Sequence, residues 1–306
     1  MKEKIEHINV RRGMTVNEIV MQMSKSGVFG AGRIAEAADI MEEMIKDKDC
    51  RVFLGQAGAM VPGGMKNIII DILKNKYVDV FVTTGATLTH DMVEALGYKH
   101  LKGLGRIDDV ELNRKHIDRI YDSFMPNDVY IGLEGFFKKN FDELSKAKNI
   151  KEFLWIIGKM LPEKNESILK TAYRNKIPIF CPAISDSAIG LMIWGQMLKG
   201  KKMMLGHFDD LNDIIELSWS SKKTGVIYVG GGVPKNYIQQ ALQFSKSASY
   251  AVQISTDIPQ YGGSSGADLK EGISWGKLSK NAMYVNVICD ATIALPLIYA
   301  AVKERF

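Results

Sequence analysis

Two apolar runs stand near the carboxyl end of the chain, Tyr250-Ala-Val-Gln-Ile-Ser-Thr256 and Met283-Tyr-Val-Asn-Val-Ile-Cys-Asp290, and each predicts a buried β-strand. A loop rich in glycine and serine lies between them and leads to Lys277. Glycine lets backbone approach a ligand closely, and a lysine held among apolar groups can attack an imine or carbonyl carbon as a neutral amine. We therefore interpret Lys277, preceded by Trp275 and Glu271, as a candidate catalytic group. The alternative is an ordinary surface lysine.

The composition is that of a globular protein. Of the 306 residues, 46% are hydrophobic and 25% are charged, as in ordinary soluble domains. The formal net charge of +5 comes from scattered basic residues, which gives no reason to expect nucleic-acid binding. We find neither the apolar core of a signal peptide nor a run of about 18 apolar residues. We therefore expect a cytoplasmic protein without a membrane span.

The cysteines give no sign of a metal site or of disulfides. Cys50, Cys181 and Cys289 are widely spaced, and no CxxC pair or histidine-rich ligand spacing occurs. We expect free thiols in a reducing compartment and no bound metal.

The order of predicted elements indicates the fold. Helical patterns, with Thr15 as a possible helix cap, fill residues 1–48, which we interpret as an N-terminal helical extension. Next come a strand at Arg51–Leu54, a glycine loop, a helix at Met65–Lys74 and a strand at Val78–Thr84. This βαβ pattern predicts an α/β fold of the Rossmann-like, doubly wound class, with a mostly parallel sheet and helices on both faces. We expect residues 49–306 to form a single domain.

Two further motifs follow predicted strands. Gly230-Gly-Gly232 comes directly after an apolar run, and Pro234 suits the first turn of a helix. Backbone N–H groups at such a helix start can bind phosphate, although a tight turn without a ligand is the alternative. Asp186 follows the buried run at residues 176–182. It could accept hydrogen bonds from a ribose hydroxyl or cap the next helix.

Ser274-Trp-Gly-Lys277, followed by Asp290-Ala-Thr292, resembles the active-site end of deoxyhypusine synthases. The resemblance extends from about Gly13 to the carboxyl terminus. Its other blocks are Phe53-Leu-Gly55, Val82-Thr-Thr84, Ile177-Pro-Ile-Phe-Cys-Pro-Ala183, Gly230-Gly-Gly-Val233 and Tyr250-Ala-Val252.

The resemblance implies an NAD-dependent aminoalkyl transferase. In the family, an amine donor, spermidine, is oxidised, and the aminobutyl group passes through an imine on a lysine to a lysine of translation initiation factor 5A. The resemblance implies that Lys277 forms the imine, that Trp275 and Glu271 line the amine pocket, and that a homotetramer holds NAD at subunit interfaces. By position, the NAD contacts would be Thr84, Asp186, Gly231, Gly232, Thr256, Ser265, Asp290 and Ala291.

Several positions depart from the family pattern. Leu191 replaces an aspartate that holds one end of the polyamine, Asn236 replaces a histidine after the glycines, and Ser264 replaces an acidic residue. Desolvating an ammonium costs several kcal/mol unless a carboxylate replaces the water. The departures therefore predict a changed, less cationic donor or a changed acceptor. Three further departures are that Tyr261 replaces an aspartate on the NAD side, Thr89-His90 replaces paired glutamates after the Val-Thr-Thr strand, and Ala57-Gly58-Ala59 replaces a Thr-Ser-Asn turn that helps to hold NAD.

Three other functions stay open. The chain could be a catalytically weak paralogue that acts as regulatory subunit of a genuine synthase, although a pure scaffold has no use for Lys277. It could be a homospermidine synthase-like enzyme, which would need the same cationic pocket. It could also be a plain nucleotide-binding module in which Lys277 contacts a phosphate.

Overall fold

The computed structural model describes residues 4–306 and contains two compact units. The first unit comprises the chain up to Ala57, Tyr77–Val82 and Leu211–Phe306, and the second comprises Gly58–Lys76 and Thr83–Asp210. The predicted boundary after residue 48 and the single domain that follows it stay predictions.

Helices and strands alternate along most of the chain. The helices are α1 (Val16–Ser26), α2 (Phe29–Lys46), α3 (Lys66–Lys74), α4 (Gly85–Ala95), α5 (Asp109–Arg114), α6 (Asp128–Leu144), α7 (Ile150–Met160), α8 (Ile168–Asn175), α9 (Ala188–Leu198), α10 (His207–Trp219), α11 (Gly232–Gln243), α12 (Glu271–Ser274) and α13 (Ala291–Lys303). The strands are β1 (Cys50–Gln56), β2 (Val80–Thr83), β3 (Leu101–Lys102), β4 (Ile117–Ile120), β5 (Ser123–Pro126), β6 (Ile179–Phe180), β7 (Lys223–Val229), β8 (Ala248–Ser255) and β9 (Leu278–Ile288).

The first unit is built on a parallel sheet. Its strands lie in the order β2-β1-β7-β8-β9, and the β1–β7, β7–β8 and β8–β9 pairs are parallel. The prediction of an α/β fold with a mostly parallel sheet is confirmed. The two apolar runs of the carboxyl-terminal region form β8 and β9, although β9 begins earlier than the run that predicted it.

Helices cover both faces of this sheet. A Cβ added to Gly225 in β7 would lie 2.5 Å from Met44 Cγ, so α2 packs closely on that face. Tyr228, three residues further along the same strand, points to the opposite face. There a Cβ added to Gly55 would lie 2.9 Å from Tyr228 Cδ1 and 3.1 Å from Ile238 Cδ1 of α11. These contacts confirm the predicted helices on both faces.

The amino-terminal helices pack within the first unit. The Thr15 hydroxyl accepts a hydrogen bond from Glu18 N at 3.2 Å, and Glu18 Oε2 accepts one from Thr15 N at 2.8 Å, which confirms the predicted cap. α2 contacts β9 and α13. Near the end of the chain, Arg305 Nη1 donates to Asp39 at 2.8 Å and to Glu42 at 2.9 Å.

The second unit is mainly helical and contains a small antiparallel sheet in the order β3-β5-β4. Asp91 of α4 is completely buried and joins α4 to α8. It accepts hydrogen bonds from Ser167 Oγ at 2.7 Å, Ile168 N at 2.8 Å and Leu169 N at 3.0 Å. Burial raises the pKa of Asp91, while these three hydrogen bonds oppose that change.

Within residues 4–306, no helix is at once long and apolar enough to cross a membrane. In the same range, no three histidine, cysteine or acidic side chains are grouped to hold a metal ion. Cys50, Cys181 and Cys289 are free thiols. Burial raises the pKa of Cys50 and of Cys181 to about 12, so these two thiols are poor nucleophiles.

We predict that Asp91→Ala lowers the free energy of unfolding by about 3 kcal/mol, because it leaves buried donors without an acceptor. Asp91→Asn should cost about half as much, since the amide oxygen still accepts and no charge is buried. Urea unfolding at pH 7 measures both, with the exposed Asp142→Ala in the same unit as control. An Asp91→Ala variant as stable as the control would contradict the prediction.

Candidate functional site

The carboxyl ends of the parallel strands meet at one edge of the sheet in the first unit. The chain passes from β1 to β2 in one direction, whereas β7, β8 and β9 follow in the other. Ligands of doubly wound sheets bind at such a reversal, outside the carboxyl ends of the strands. Backbone hydrogen bonds join the strand ends, with Ala57 N donating to Val229 O at 2.9 Å and Gly230 N to Ile254 O at 2.8 Å. This edge is the candidate cofactor site of the first unit.

The glycine run has a structural reason at each position. Gly230 and Gly232 have φ angles of 73° and 60°, in the left-handed region that favours glycine. A Cβ added to Gly231 would overlap the Cα of Ser265. The turn alone therefore accounts for three consecutive glycines, and anion binding at this position stays a prediction.

Buried polar groups anchor the glycine–serine loop, residues 262–267, over the start of α11. Ser265 Oγ accepts a hydrogen bond from Gly232 N at 3.1 Å. Gln253 Nε2 donates to the carbonyl oxygens of Ser265 and Ala267 at 3.3 and 3.4 Å. Lys235 Nζ donates to Ala267 O at 2.7 Å. The loop is thus held by side chains from both β8 and α11.

Lys235 is a candidate site residue that the sequence prediction did not single out. It is only 1% exposed. Burial lowers its pKa to about 8, nearby Lys277 lowers it further, and Glu271 and Asp268 oppose the shift. Lys235 thus holds the loop by a hydrogen bond and lies within the electrostatic influence of Glu271, Asp268 and Lys277. The sequence signal was a lysine in the first turn of a helix that starts at glycines.

The structure brings Lys277 and Trp275 together, whereas the Glu271 carboxylate accepts a hydrogen bond from Asp268 N at 3.3 Å. Lys277 N donates to Gly272 O at 2.8 Å, and Lys277 O accepts from Ala248 N at 3.0 Å, so its backbone is fixed on both sides. Lys277 Nζ lies 5.0 Å from the centroid of the Trp275 ring, a cation–π distance. Lys277 is partly buried, and Trp275 is 61% exposed. Glu271 begins the short helix α12, which leads into this turn.

The predicted catalytic and cofactor residues lie at opposite ends of β9. Leu278, next to Lys277, pairs with Ala248 at the start of β8, whereas Ile288 pairs with Ser255 at its end. That part of β8 spans about 23 Å. The residues at or near the far, carboxyl end are Gly231, Gly232, Thr256, Ser265, Asp290 and Ala291. Within the first unit, Lys277 and the predicted NAD contacts are therefore not brought together.

The other two predicted NAD contacts, Thr84 and Asp186, belong to the second unit. Thr84 caps α4 by accepting a hydrogen bond from Thr87 N at 3.2 Å. A Cβ added to Gly85 would lie 2.5 Å from the Ser187 side chain, so the starts of α4 and α9 touch. The cap of α9 is Ser187, whose Oγ accepts from Gly190 N at 3.2 Å. The alternative that Asp186 caps this helix is therefore wrong, and Asp186 is exposed beside it.

Most positions that depart from the family pattern are accessible. Leu191 in α9 is 59% exposed, and Tyr261 is 78% exposed. Ser264 is exposed, and Asn236 is partly exposed in α11. These side chains are therefore not simply absorbed into the protein core.

The carboxyl edge of the first unit fits part of a dinucleotide. Ser265 Oγ already accepts from Gly232 N at the start of α11, whereas a Cβ added to Gly232 would meet no atom within 4 Å, so there is room for a ligand beside this helix start. Asp290 is exposed and caps α13. A hydrogen bond from the Thr292 side chain, with others from backbone, lowers the pKa of Asp290, which keeps a carboxylate available for ribose hydroxyls.

Comparison with known proteins identifies relatives along almost the whole chain. The family model described as deoxyhypusine synthase matches residues 18–302. "Probable deoxyhypusine synthase" of Methanosarcina thermophila is 44% identical over 294 residues, covering 95% of this chain and 92% of the relative. "Probable deoxyhypusine synthase 1" of Archaeoglobus fulgidus is 43% identical, covering 97% and 96%. A crystal structure of a candidate deoxyhypusine synthase from Entamoeba histolytica has a TM-score of 0.68 at 21% identity, covering 97% and 96%, and so shares the fold.

We predict that Gly231→Ala lowers the free energy of unfolding by about 2 kcal/mol, because the new methyl group must displace backbone at Ser265. Gly263→Ala, in the glycine–serine loop, is the matched control, since its Cβ would meet no atom within 4 Å. Chemical denaturation of both variants tests the prediction. Equal stabilities would show that the loop is not packed on the glycine turn.

We also predict that Lys235 makes stability depend on pH. Its pKa is about 8 in the folded protein, below the ordinary value of 10.5 that we assign to the unfolded chain. The unfolded chain then binds more protons between these values, so the free energy of unfolding rises as pH increases from about 8 to about 10.5, by on the order of 3 kcal/mol.

Urea unfolding across this pH range measures the effect of Lys235. In Lys235→Met, the rise in the free energy of unfolding with pH should disappear. The control Lys280→Met, at an exposed position in β9, should keep it. A rise that persists in Lys235→Met would assign the titration to another group.

Proposed function

This chain belongs to the deoxyhypusine synthase family, and from that membership we propose that it is an NAD-dependent aminoalkyl transferase. The observation that carries the proposal is Lys277, whose amino group lies over the Trp275 ring while its backbone is fixed on both sides. A lysine held in this way can attack an electrophilic carbon repeatedly from one position.

The proposed reaction passes an aminobutyl group through an imine. NAD supplies a hydride acceptor when the donor amine is oxidised and returns the hydride at the end. Lys277 Nζ attacks the carbon of the oxidised donor, and the original amine leaves, so that the alkyl group is joined to Lys277 through a C=N bond. An acceptor amine then displaces Lys277 in the same way. We propose that Trp275 and Glu271 hold the alkyl chain and its amino group.

The NAD contacts in this proposal are the residues predicted from the family resemblance. They are Thr84, Asp186, Gly231, Gly232, Thr256, Ser265, Asp290 and Ala291. The distance along β9 between those at its carboxyl end and Lys277 supports a site completed by another subunit, as in the proposed homotetramer. β9 is also the edge strand of its sheet, which leaves a strand edge for another copy.

We propose a donor that carries less positive charge than spermidine, or a changed acceptor. Exposed Leu191 offers no charge to an ammonium, and Ser264 and Asn236 replace groups that the family uses. Losing one charge-assisted hydrogen bond costs about 1.5–3 kcal/mol. The acceptor in the proposal is a lysine of the translation initiation factor 5A precursor, in the cytoplasm.

A regulatory role is the second candidate, and the same departures favour it. A paralogue that had lost donor recognition could still assemble with a genuine synthase. A homospermidine synthase-like activity would differ only in its acceptor, a second amine. Detection of a covalent intermediate separates the enzymatic candidates from the regulatory one.

We predict that the protein, incubated with NAD, an amine and a hydride trapping reagent, gains the mass of an alkyl group on Lys277. The panel contains butylamine, putrescine, agmatine and spermidine, and intact mass followed by peptide mapping locates the adduct. Lys277→Ala should give none, whereas Lys280→Ala, an exposed lysine in β9, should behave like the wild type.

The outcomes separate the candidate functions. An adduct on Lys277 with any amine supports the transferase, and the amine that yields it names the donor class. Protein that binds NAD yet forms no adduct with the whole panel would exclude a transferase acting alone and leave the regulatory role.

A further inference from the structure

Two amide side chains on neighbouring strands hold the segment that leads from the glycine–serine loop to α12. Gln253 in β8 and Asn286 in β9 are register partners, so both project from the same face of the sheet. Gln253 Nε2 donates to carbonyl oxygens at the end of the loop. Asn286 holds the two residues that follow the loop, Asp268 and Leu269. Asn286 has no part in the sites described above.

Asn286 contacts this segment with both ends of its amide. Its Oδ1 accepts a hydrogen bond from Leu269 N at 3.2 Å, and its Nδ2 donates to Asp268 Oδ1 at 2.9 Å. The reverse orientation of the amide would set donor against donor and acceptor against acceptor, so the two partners fix its orientation. Asp268 Oδ1 also accepts from Lys270 N at 2.8 Å. We call Asn286, Asp268 and Leu269 the amide clamp.

A short hydrogen-bond path leads from the amide clamp to the predicted catalytic lysine. Leu269 O accepts from Gly272 N at 2.9 Å, and Gly272 O accepts from Lys277 N at 2.8 Å. Two residues, Leu269 and Gly272, therefore separate the Asn286 side chain from the Lys277 backbone. The path extends about 17 Å along the sheet, because Asn286 pairs with β8 about five residues beyond the position beside Lys277.

Apolar packing alone leaves α12 weakly held. The helix has four residues, and the buried one is Gly272, which has no side chain. Trp275, which follows the helix, is 61% exposed. Leu269 is buried before the helix begins, so it anchors the segment without fixing the direction in which α12 leaves it. A short segment with little buried apolar surface depends on polar contacts for its orientation, and the amide clamp supplies them.

We propose that Asn286 is a positioning residue for Lys277. Through the amide clamp it sets the direction of α12, and with it the place of the Trp275 ring over the Lys277 amine. This role rests on the proposed transferase function and deepens it, because it names a residue on which the reactivity of Lys277 depends. Asn286 touches no reacting group itself. Its effect is geometric, and a nucleophile that is displaced by about 1 Å loses much of its rate.

Exchanging the two polar side chains of the clamp tests the contact itself. Asn286→Asp removes the donor and sets a second carboxylate against Asp268, so it should open the clamp. Combining it with Asp268→Asn restores the three hydrogen bonds with one direction reversed. The new carboxylate accepts from Leu269 N and from the new amide, whose oxygen still accepts from Lys270 N. The matched control for the added charge is Asn281→Asp, at an exposed position in β9.

Fluorine NMR of the full-length protein labelled with 5-fluorotryptophan reports the geometry without turnover. The chain has four tryptophans, and Trp275→Phe assigns the signal of Trp275. We expect Asn286→Asp to shift the Trp275 signal alone, whereas a general loss of structure would move the other three signals as well. The double variant should return the Trp275 signal towards its wild-type position, and Asn281→Asp should leave it unchanged. A Trp275 signal that Asn286→Asp does not move would overturn the proposal.

The rate at which the Lys277 adduct forms measures the chemical consequence. With NAD and a saturating amine of the panel, Asn286→Asp should form the adduct about tenfold more slowly than the wild type. The double variant should recover most of this loss, and Asn281→Asp should react like the wild type. Rates are compared at a temperature at which urea unfolding shows every variant to be folded, so a purely stabilising role of Asn286 would leave them equal.

The two measurements separate this proposal from the proposed function. If the wild type forms no adduct with any amine, the transferase is refuted, and the role of Asn286 in catalysis falls with it. If adducts form equally fast in the wild type and in Asn286→Asp, the positioning role alone is overturned. Should Asn286→Asp fail to fold, Asn286→Ala, which adds no charge, takes its place. An unchanged Trp275 signal or adduct rate in that variant then overturns the positioning role.

Discussion

The first unit depends on one buried amine. Lys235 is almost fully enclosed, and its hydrogen bond to Ala267 holds the glycine–serine loop. A buried lysine is costly unless its charge is paired or lost, and burial lowers its pKa accordingly. Gln253 donates to the same carbonyl oxygen from β8. The backbone of Gly231 also packs against Ser265, so the loop and the glycine turn are held together at the ends of the strands.

Lys235 also lies among charged groups from the segment between the glycine–serine loop and β9. It belongs to the helix that follows the glycine turn, and its pKa is raised by Glu271 and Asp268 and lowered by Lys277. Charges interact over several ångströms inside a protein, so these groups act on the Lys235 amine without direct contact.

Local patterns were enough to predict the fold but only part of the site. The apolar run at Tyr250–Thr256 predicted β8, because a buried parallel strand must be continuously apolar. The Lys277–Trp275 pair was predicted because both residues lie in one short stretch. Lys235 was missed because its burial depends on a loop about thirty residues away. The His90–His100 hydrogen bond was missed because helical periodicity does not show how the chain returns after α4.

The predicted catalytic pair and two of the departures from the family pattern lie on different parts of this chain. Lys277 and Trp275 belong to the first unit, whereas Leu191 and His90 belong to the second. Each unit has its own core, so replacing a carboxylate on α9 or α4 need not disturb the backbone hydrogen bonds that fix Lys277. The contacts of Glu94 with Lys66 and His100 likewise lie entirely within the second unit. Under the proposed function, the fold can therefore keep Lys277 while residues on α4 and α9 change, because the two sets of residues depend on separate contacts.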